Sequence, residues 1–560
     1  MNPIRPIALL AGAGFLATFL GATCLSASAQ SPSQPTRADA EKDPVLKAML
    51  TELDRSKNQL QLKDVARPFF IQYRIEEIDR FETHAQFGST TGSQRSHARV
   101  ARVTVRVGDY KTDSSGEKND GAVLAEVVDD DAIALRTVLW MATDQAYKNA
   151  LAAYAQKQAA LKEVETPPQA DDFSQEKPLI RLEDPLRLKL DERAWEARVA
   201  RDSGLYRTDP TVKASQRDVQ HSIASFSALV KTTWLVTSEG AIVRKSAADY
   251  QESFAAGTQA ADGMGLERSY STSGIALKDL DSPEDFAQHA VSLIASLTDL
   301  RNAPLVEEEY HGPLLMSSDA AADTMLALVA GGVTATRPKL GTEARTNGPF
   351  ASSYHARVLP WFLDVVDDPG LKSYNGKGLV GAYDVDDEGV PAQAVHLIAA
   401  GQLDSYLLGR EPVRDFPQSN GHGRAPISGP PRPYIGVLQV TAKDGLTDQE
   451  LNSRLLELTG HRGLKNAYYV STMGGMLTPR MLYRVSPDGK RELVRGAALD
   501  DLDQRALRAD VVSAGKQPWV ANYLGEIPMT VLAPALLLDY VTIRRANKQN
   551  GKLPFYPPPE

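Results

Sequence analysis

The chain has 560 residues, 42% of them hydrophobic and 24% charged, with a formal net charge of −9 at pH 7 and a pI near 5.6. That length predicts two to four domains around large buried cores, and an acidic balance without a basic stripe argues against a nucleic-acid partner. A single cysteine, Cys24, leaves nothing downstream for disulfides or thiolate ligands.

At the N-terminus Arg5 precedes an apolar run over residues 7–20, and Ala27, Ser28 and Ala29 form the small-residue pattern that a signal peptidase cuts. Residues 1–29 are therefore read as a signal peptide, with the mature protein beginning near Gln30 and secreted or periplasmic. N-terminal sequencing of native material that returned Met1 would refute this. The run is shorter than the ~20 residues of a spanning helix, and no later segment is long and apolar enough, so no transmembrane segment is expected after signal cleavage. Residues 30–43, rich in Ser, Pro, Gln and Ala, read as a flexible leader.

Residues 44–303 read as an N-terminal α+β domain. Val103, Val105 and Val107 alternate with Thr104 and Arg106, the period of a half-buried strand. Over residues 133–161 the spacing is helical, with Leu135, Leu139, Ala142, Ala146 and Ala150 on one stripe and Trp140, Tyr147, Leu151 and Tyr154 on another. An acidic, proline-rich stretch at about 164–190 reads as a surface linker. The segment TTWLVTSEGAIVRKS predicts a hairpin turning at Glu239 and Gly240. Ser282 as N-cap and Pro283 at the first helical position open a helix, and the boundary is placed just after it, near Pro304.

Residues 304–560 read as a β-rich C-terminal domain with two clear helices. One covers 319–330 and stops at Gly331 and Gly332; the other opens on the capping box from Thr447 to Glu450 and stops at Gly460. The expected class is α+β, an N-terminal antiparallel sheet with helices followed by the β-rich domain.

No metalloprotease His-Glu-x-x-His, nucleophile elbow or dinucleotide fingerprint is present. The densest polar cluster is Asp384, Asp386, Asp387 and Glu388, which could be a metal site, an acid/base pair or a turn. A calcium loop needs alternating oxygen ligands and a distal bidentate Glu, whereas Pro391 and the alternation of Val395 and Leu397 arrive too soon. Asp386, Asp387, Glu388 and Gly389 are read as a structural turn, with Gly389 in a conformation that other residues resist and Asp386→Asn expected to do little.

The segment YDVDDEGVPAQAVHLIAAGQLDSYLLG resembles the TldD/PmbA family, whose members carry an Asp-Asp-Glu-Gly-x-Pro turn followed by a strand, a glycine turn and Tyr-Leu. VVDDPG at 365–370, SNGHGRAP at 419–426 and TDQELNSRLLELTGHRGLKNAYYV extend the resemblance in order, mostly within residues 300–530. It implies a two-domain protein of a family long called modulators of DNA gyrase and now understood as paired subunits of a peptidase. One subunit carries zinc on a His-Glu-x-x-x-His helix. Here Asp319, Ala320, Ala321, Ala322, Asp323 and Thr324 stand where those ligands and the catalytic glutamate would be expected, so the chain resembles the members without the zinc motif.

The expectation is thus a zinc-less subunit or pseudo-peptidase, with no catalytic residue, metal ligand or cofactor, that binds extended polypeptide and forms a homo- or heterodimer with a family paralogue. In the glycine loop His422 and Arg424 can offer a donor and a cation to a peptide carboxylate, with His311 as a third candidate. His396 is read as partly buried. The rival readings are an active metallopeptidase whose zinc site is assembled from scattered histidines or completed by a partner, and a non-catalytic structural envelope protein.

Overall fold

The computed structural model describes residues 35–63, 65–116 and 120–546; the signal-peptide reading lies outside the described residues. The expected leader contains a short helix, Arg37–Ala40, ahead of the helix Pro44–Gln59. Asp43 caps the latter by accepting from the amides of Val45 and Leu46, and Pro44 occupies a first-turn position where no intrahelical donor is needed.

Four long strands make up most of the first sheet, in the order Ser89–Val107, Pro68–Gln86, His221–Thr237 and Ile242–Gln259, with Ala122–Glu126 beyond the first. Both Ile180–Leu182 and Gly265–Gly274 pair with Ile242–Gln259, and only the first of these contacts is parallel. The hairpin expected around Glu239 exists, but its arms are 17 and 18 residues long. Strands of that length reach about 60 Å, enough for one face to carry two separate cores. Near one end Ile71, Tyr73, Val103 and Trp234 pack with Leu46, Met49, Leu135 and Leu139 of the helices Pro44–Gln59 and Ala132–Ala160. Near the other, Phe81, Phe226 and Phe254 pack with Val199 of Glu192–Ser203 and Phe286 of Pro283–Asn302. On the helix Ala132–Ala160 the second apolar stripe is only partly covered: Tyr147 is buried, whereas Trp140 is 51% exposed. Within the stretch 164–190, Asp172, Phe173 and Ser174 are buried.

After the helix Pro283–Asn302 the chain enters a second, mixed sheet. Its centre is Met529–Arg545, flanked by Val437–Ala442 in parallel and by Tyr310–Met316 in antiparallel pairing. Outward from these lie Leu363–Asp367 and Val395–Ala399 on one side, and Ala467–Gly474, Thr478–Val485 and Arg491–Val494 on the other. Val511–Tyr523 also pairs with the central strand. The helix Ser318–Met325 continues as a π-turn over Leu326–Ala330 before Gly331, and Thr447 and Glu450 form the expected capping box of the helix Asp448–His461. The architecture is α+β, antiparallel in the first half apart from one edge contact and β-rich in the second.

Because side chains alternate along a strand, the helices cover one face of the first sheet and leave the other to the second half. On that second face Leu235, Ala241 and Val243 pack with Val385, which leads into the acidic turn.

Candidate functional site

Asp386 folds the acidic segment on itself. Its Oδ1 accepts from the amides of Glu388 (2.9 Å) and Val390 (2.8 Å), while its own amide donates to the carbonyl of Val390. Its Oδ2 accepts from Gly423 (2.9 Å), in the glycine loop. Gly389 has φ +83°, where a Cβ would meet Leu235 and Ala241 at 3.1 and 3.2 Å. Asp387 accepts from the amide of Ala425 (2.8 Å) and donates its own amide to the carbonyl of Gly423. The turn and the glycine loop are thereby one unit.

This unit is docked on the first sheet by buried charge. The Lys245 ammonium donates to the carbonyls of Val385 (2.7 Å) and Asp386 (3.0 Å) and lies 2.8 Å from Asp387 Oδ1. Burial would raise the Asp387 carboxyl, but Lys245, Lys231, Arg424 and Arg74 together hold it well below the usual carboxylate range. Glu388 has no such cation at hydrogen-bond distance: its Oε2 accepts from the amide of Arg410 (2.7 Å), and burial, reinforced by Asp386, pushes it up to about 8. The Arg410 guanidinium itself reaches the carbonyl of Ser174 and, at 2.8 Å, the carboxylate of Glu239, and stacks 4.0 Å over Phe173. Farther along, Arg74 donates to the carbonyl of Gly429 (2.5 Å) and Glu76 accepts from the amide of Ser428 (2.7 Å).

Between the sheet and this unit runs a cleft of about 370 Å³. Its floor is three cross-strand pairs: Leu229 beside Asp249, Lys231 beside Ala247 and Thr233 beside Lys245. The opposite wall includes Tyr383, Asp387, Arg424 and Ile427. Arg424, 11% exposed, lies 4.1 Å over the Tyr383 ring with its Nε 3.8 Å from Asp387 Oδ2.

Of the three residues expected to touch a peptide, only Arg424 lines this cleft. His422 is fully buried: Nδ1 faces the Asn420 carbonyl at 3.0 Å and Nε2 faces Asp367 Oδ1 at 3.3 Å. His311 sits on the far sheet against Thr542, Tyr540 and Glu309. His461 is exposed beside Glu457, and His396, expected to be partly buried, is exposed on its strand. The residues that sequence reasoning passed over are Lys231, Lys245 and Asp249. Their one signal was position: every second residue of a strand pair shares a face.

Residues 310–489 match the profile of the PmbA/TldA metallopeptidase C-terminal domain. Over those residues the chain carries a TldD/PmbA-family domain. The TldD/PmbA fold extends through the described first half as well. A protein described as a modulator of DNA gyrase from Thermotoga maritima superposes with a TM-score of 0.59 at 13% identity, covering 89% of this chain and 99% of its own. TldE from Thermococcus kodakarensis gives 0.58 at 13% identity, covering 89% and 100%. A further described modulator of DNA gyrase, from Bacteroides thetaiotaomicron, gives 0.55 at 11%, covering 89% and 98%. At such identities the likeness is one of fold alone. No curated protein matches this chain in sequence.

The family resemblance aligns the zinc helix with Ser318–Met325, and the donors there do not fit zinc. Ala320, Ala321 and Ala322 are fully buried methyl groups, and the hydroxyl of Thr324, also buried, donates to the Ala320 carbonyl at 2.8 Å. Asp323 accepts from the Tyr523 hydroxyl at 2.7 Å, and Asp319 is pushed up to about 6 by burial and by Asp323. A zinc hydrolase needs about three ligands and an open position for water. Among the described residues no group of three His, Cys, Asp or Glu side chains could hold a metal ion. Among them, too, no helix is long and apolar enough to cross a membrane.

Proposed function

We propose that the chain is a zinc-less member of the TldD/PmbA family that binds extended polypeptide in the cleft between its two sheets. The observation that carries the reading is the helix Ser318–Met325, whose aligned positions are three buried methyls, a self-satisfied threonine and two carboxyls, one of them engaged by Tyr523, too few donors for a zinc site. The cleft supports the binding part of it, because Arg424 stands on its wall and the floor is a sheet whose polar side chains face the opening. A paralogue that shares the cleft is the partner this reading favours, and the signal-like pattern in residues 1–29 supports a secreted or periplasmic site of action.

The purified mature protein is expected to carry no stoichiometric zinc, to leave peptides uncut, and to bind an end-capped extended peptide. Elemental analysis, a protease assay and calorimetric titration of that peptide measure the three. Chelator-sensitive proteolysis with about one zinc per chain would overturn the zinc-less reading, and absence of any capped-peptide binding would overturn the polypeptide reading. Activity that arises only when a zinc-bearing paralogue is added would identify the chain as a partner subunit.

A further inference from the structure

Most charges around the cleft are matched within the chain. Lys245 is held by Asp387 at 2.8 Å, Lys231 lies 3.4 Å from Glu76, and Arg181 lies 2.7 Å from Asp384. Two groups of opposite sign keep hydrogen-bonding positions that the described residues do not fill. Asp249, on the floor, has no hydrogen bond or ion pair at contact distance among the described residues, and burial pushes its carboxyl up to about 6 against the opposing pull of Lys231 and Arg424. Across the cleft the Nη1 of Arg424 is buried and likewise unpartnered among the described residues, and its Nε is held from Asp387 at 3.8 Å, beyond hydrogen-bond reach.

A polar atom of a charged group that is out of water without a hydrogen bond is costly, and a ligand group of opposite sign relieves that cost at the moment of binding. A carboxylate and a guanidinium that both keep unused hydrogen-bonding positions in the same cavity suit a ligand that carries both charges. The volume falls within the ~300–1,000 Å³ of small-molecule sites. Leu229, Val380 and Ile427 also line the cavity, which suits an uncharged side chain.

We propose that the cleft binds a small zwitterion of the α-amino acid class, a free amino acid or a dipeptide, with its carboxylate on Arg424 and its ammonium on Asp249. The proposal rests on the reading of this cleft as a polypeptide site, and it makes the charged ends, rather than the backbone, the element recognised.

Calorimetric titration of the full chain tests this with L-leucine and L-alanyl-L-leucine as probes. The comparison compounds are 4-methylpentanoate, which lacks the ammonium, and 3-methylbutylamine, which lacks the carboxylate. A charge-assisted hydrogen bond is worth enough that each zwitterion should bind about tenfold or more tighter than either comparison compound. Asp249→Asn should erase the margin over 4-methylpentanoate, and Arg424→Ala the margin over 3-methylbutylamine. Asp249→Asn keeps the shape and changes a half-buried side chain that makes no hydrogen bond among the described residues, so it should fold, as circular dichroism would verify. Zwitterions that fail to bind, that bind no tighter than the comparison compounds, or that keep their margin in Asp249→Asn would overturn the proposal. If the end-capped peptide binds while the zwitterions do not, the proposal fails and the polypeptide reading stands; the reverse result keeps the zwitterion site and removes the polypeptide reading.

Discussion

Gly423→Ala is expected to destabilise the protein by about 3–5 kcal/mol, read from denaturant unfolding followed by circular dichroism. A Cβ on Gly423 would stand 2.1 Å from Glu388 Oε2 and 2.8 Å from its carboxyl carbon. The carboxyl has nowhere to retreat, because the same oxygen lies 2.6 Å from where a Cβ on Gly409 would be and accepts from the Arg410 amide. Either Glu388 gives up that bond or the loop backbone moves, and then Asp386 and Asp387 lose the amide and carbonyl of Gly423. Asp386→Asn is the milder companion, at about 1–3 kcal/mol, because its new amide group would face the Gly423 amide donor to donor. A loss under about 1 kcal/mol for Gly423→Ala would mean that the two carboxylates do not lock the loop.

Stability should fall as pH rises from about 5 to about 8, and Glu388→Gln should remove much of that slope. The native carboxyl of Glu388 is raised from an ordinary 4.5 to about 8, first by burial and then by Asp386. The folded chain therefore keeps a proton that the unfolded chain has already released. The stabilising contribution is complete below the ordinary value and is lost as pH climbs to the native one. Asp386, raised by burial from 3.8 to about 6, acts in the same direction over the lower part of the window. Asp387 has the opposite sign but is silent there, because its carboxyl is held below its ordinary 3.8 and its contribution is lost only on stronger acidification. Other buried carboxyls raised to about 7, Glu126 and Glu252, are common to both proteins and cancel. One proton is worth about 1.4 kcal/mol per pH unit, and that is the expected difference in slope between the wild type and Glu388→Gln. Parallel stability curves would show that Glu388 is ionised throughout.

What the sequence displayed well is what depends on near neighbours. Ser282 and Thr447 cap the helices they were expected to cap, and Gly389 has the positive φ that its turn requires. Asp386 shows where local reasoning ends. Two of its three donors lie within four residues, but the third comes from Gly423, which made Asp386→Asn look harmless. His422 seemed accessible because glycines flank it; those glycines instead let the loop press close, and a Cβ on Gly421 would stand 2.2 Å from the Pro391 carbonyl oxygen. Lys245 and Asp249 sit in an ordinary alternating strand, and only the packing of the second half on that face gives them a role.

The position of Met529–Arg545 at the centre of the second sheet has a consequence for the order in which the chain is made. A growing polypeptide leaves the ribosome from its N-terminus, and early domains fold while later ones are still being synthesised. The strands Val437–Ala442 and Tyr310–Met316 both hydrogen-bond to a segment that emerges well after them. Until it arrives they are two unjoined pieces with open edges, the arrangement most prone to pair with another chain. Premature termination shortly before Met529 would not give a slightly smaller version of this protein; it would remove the strand that joins the two pieces.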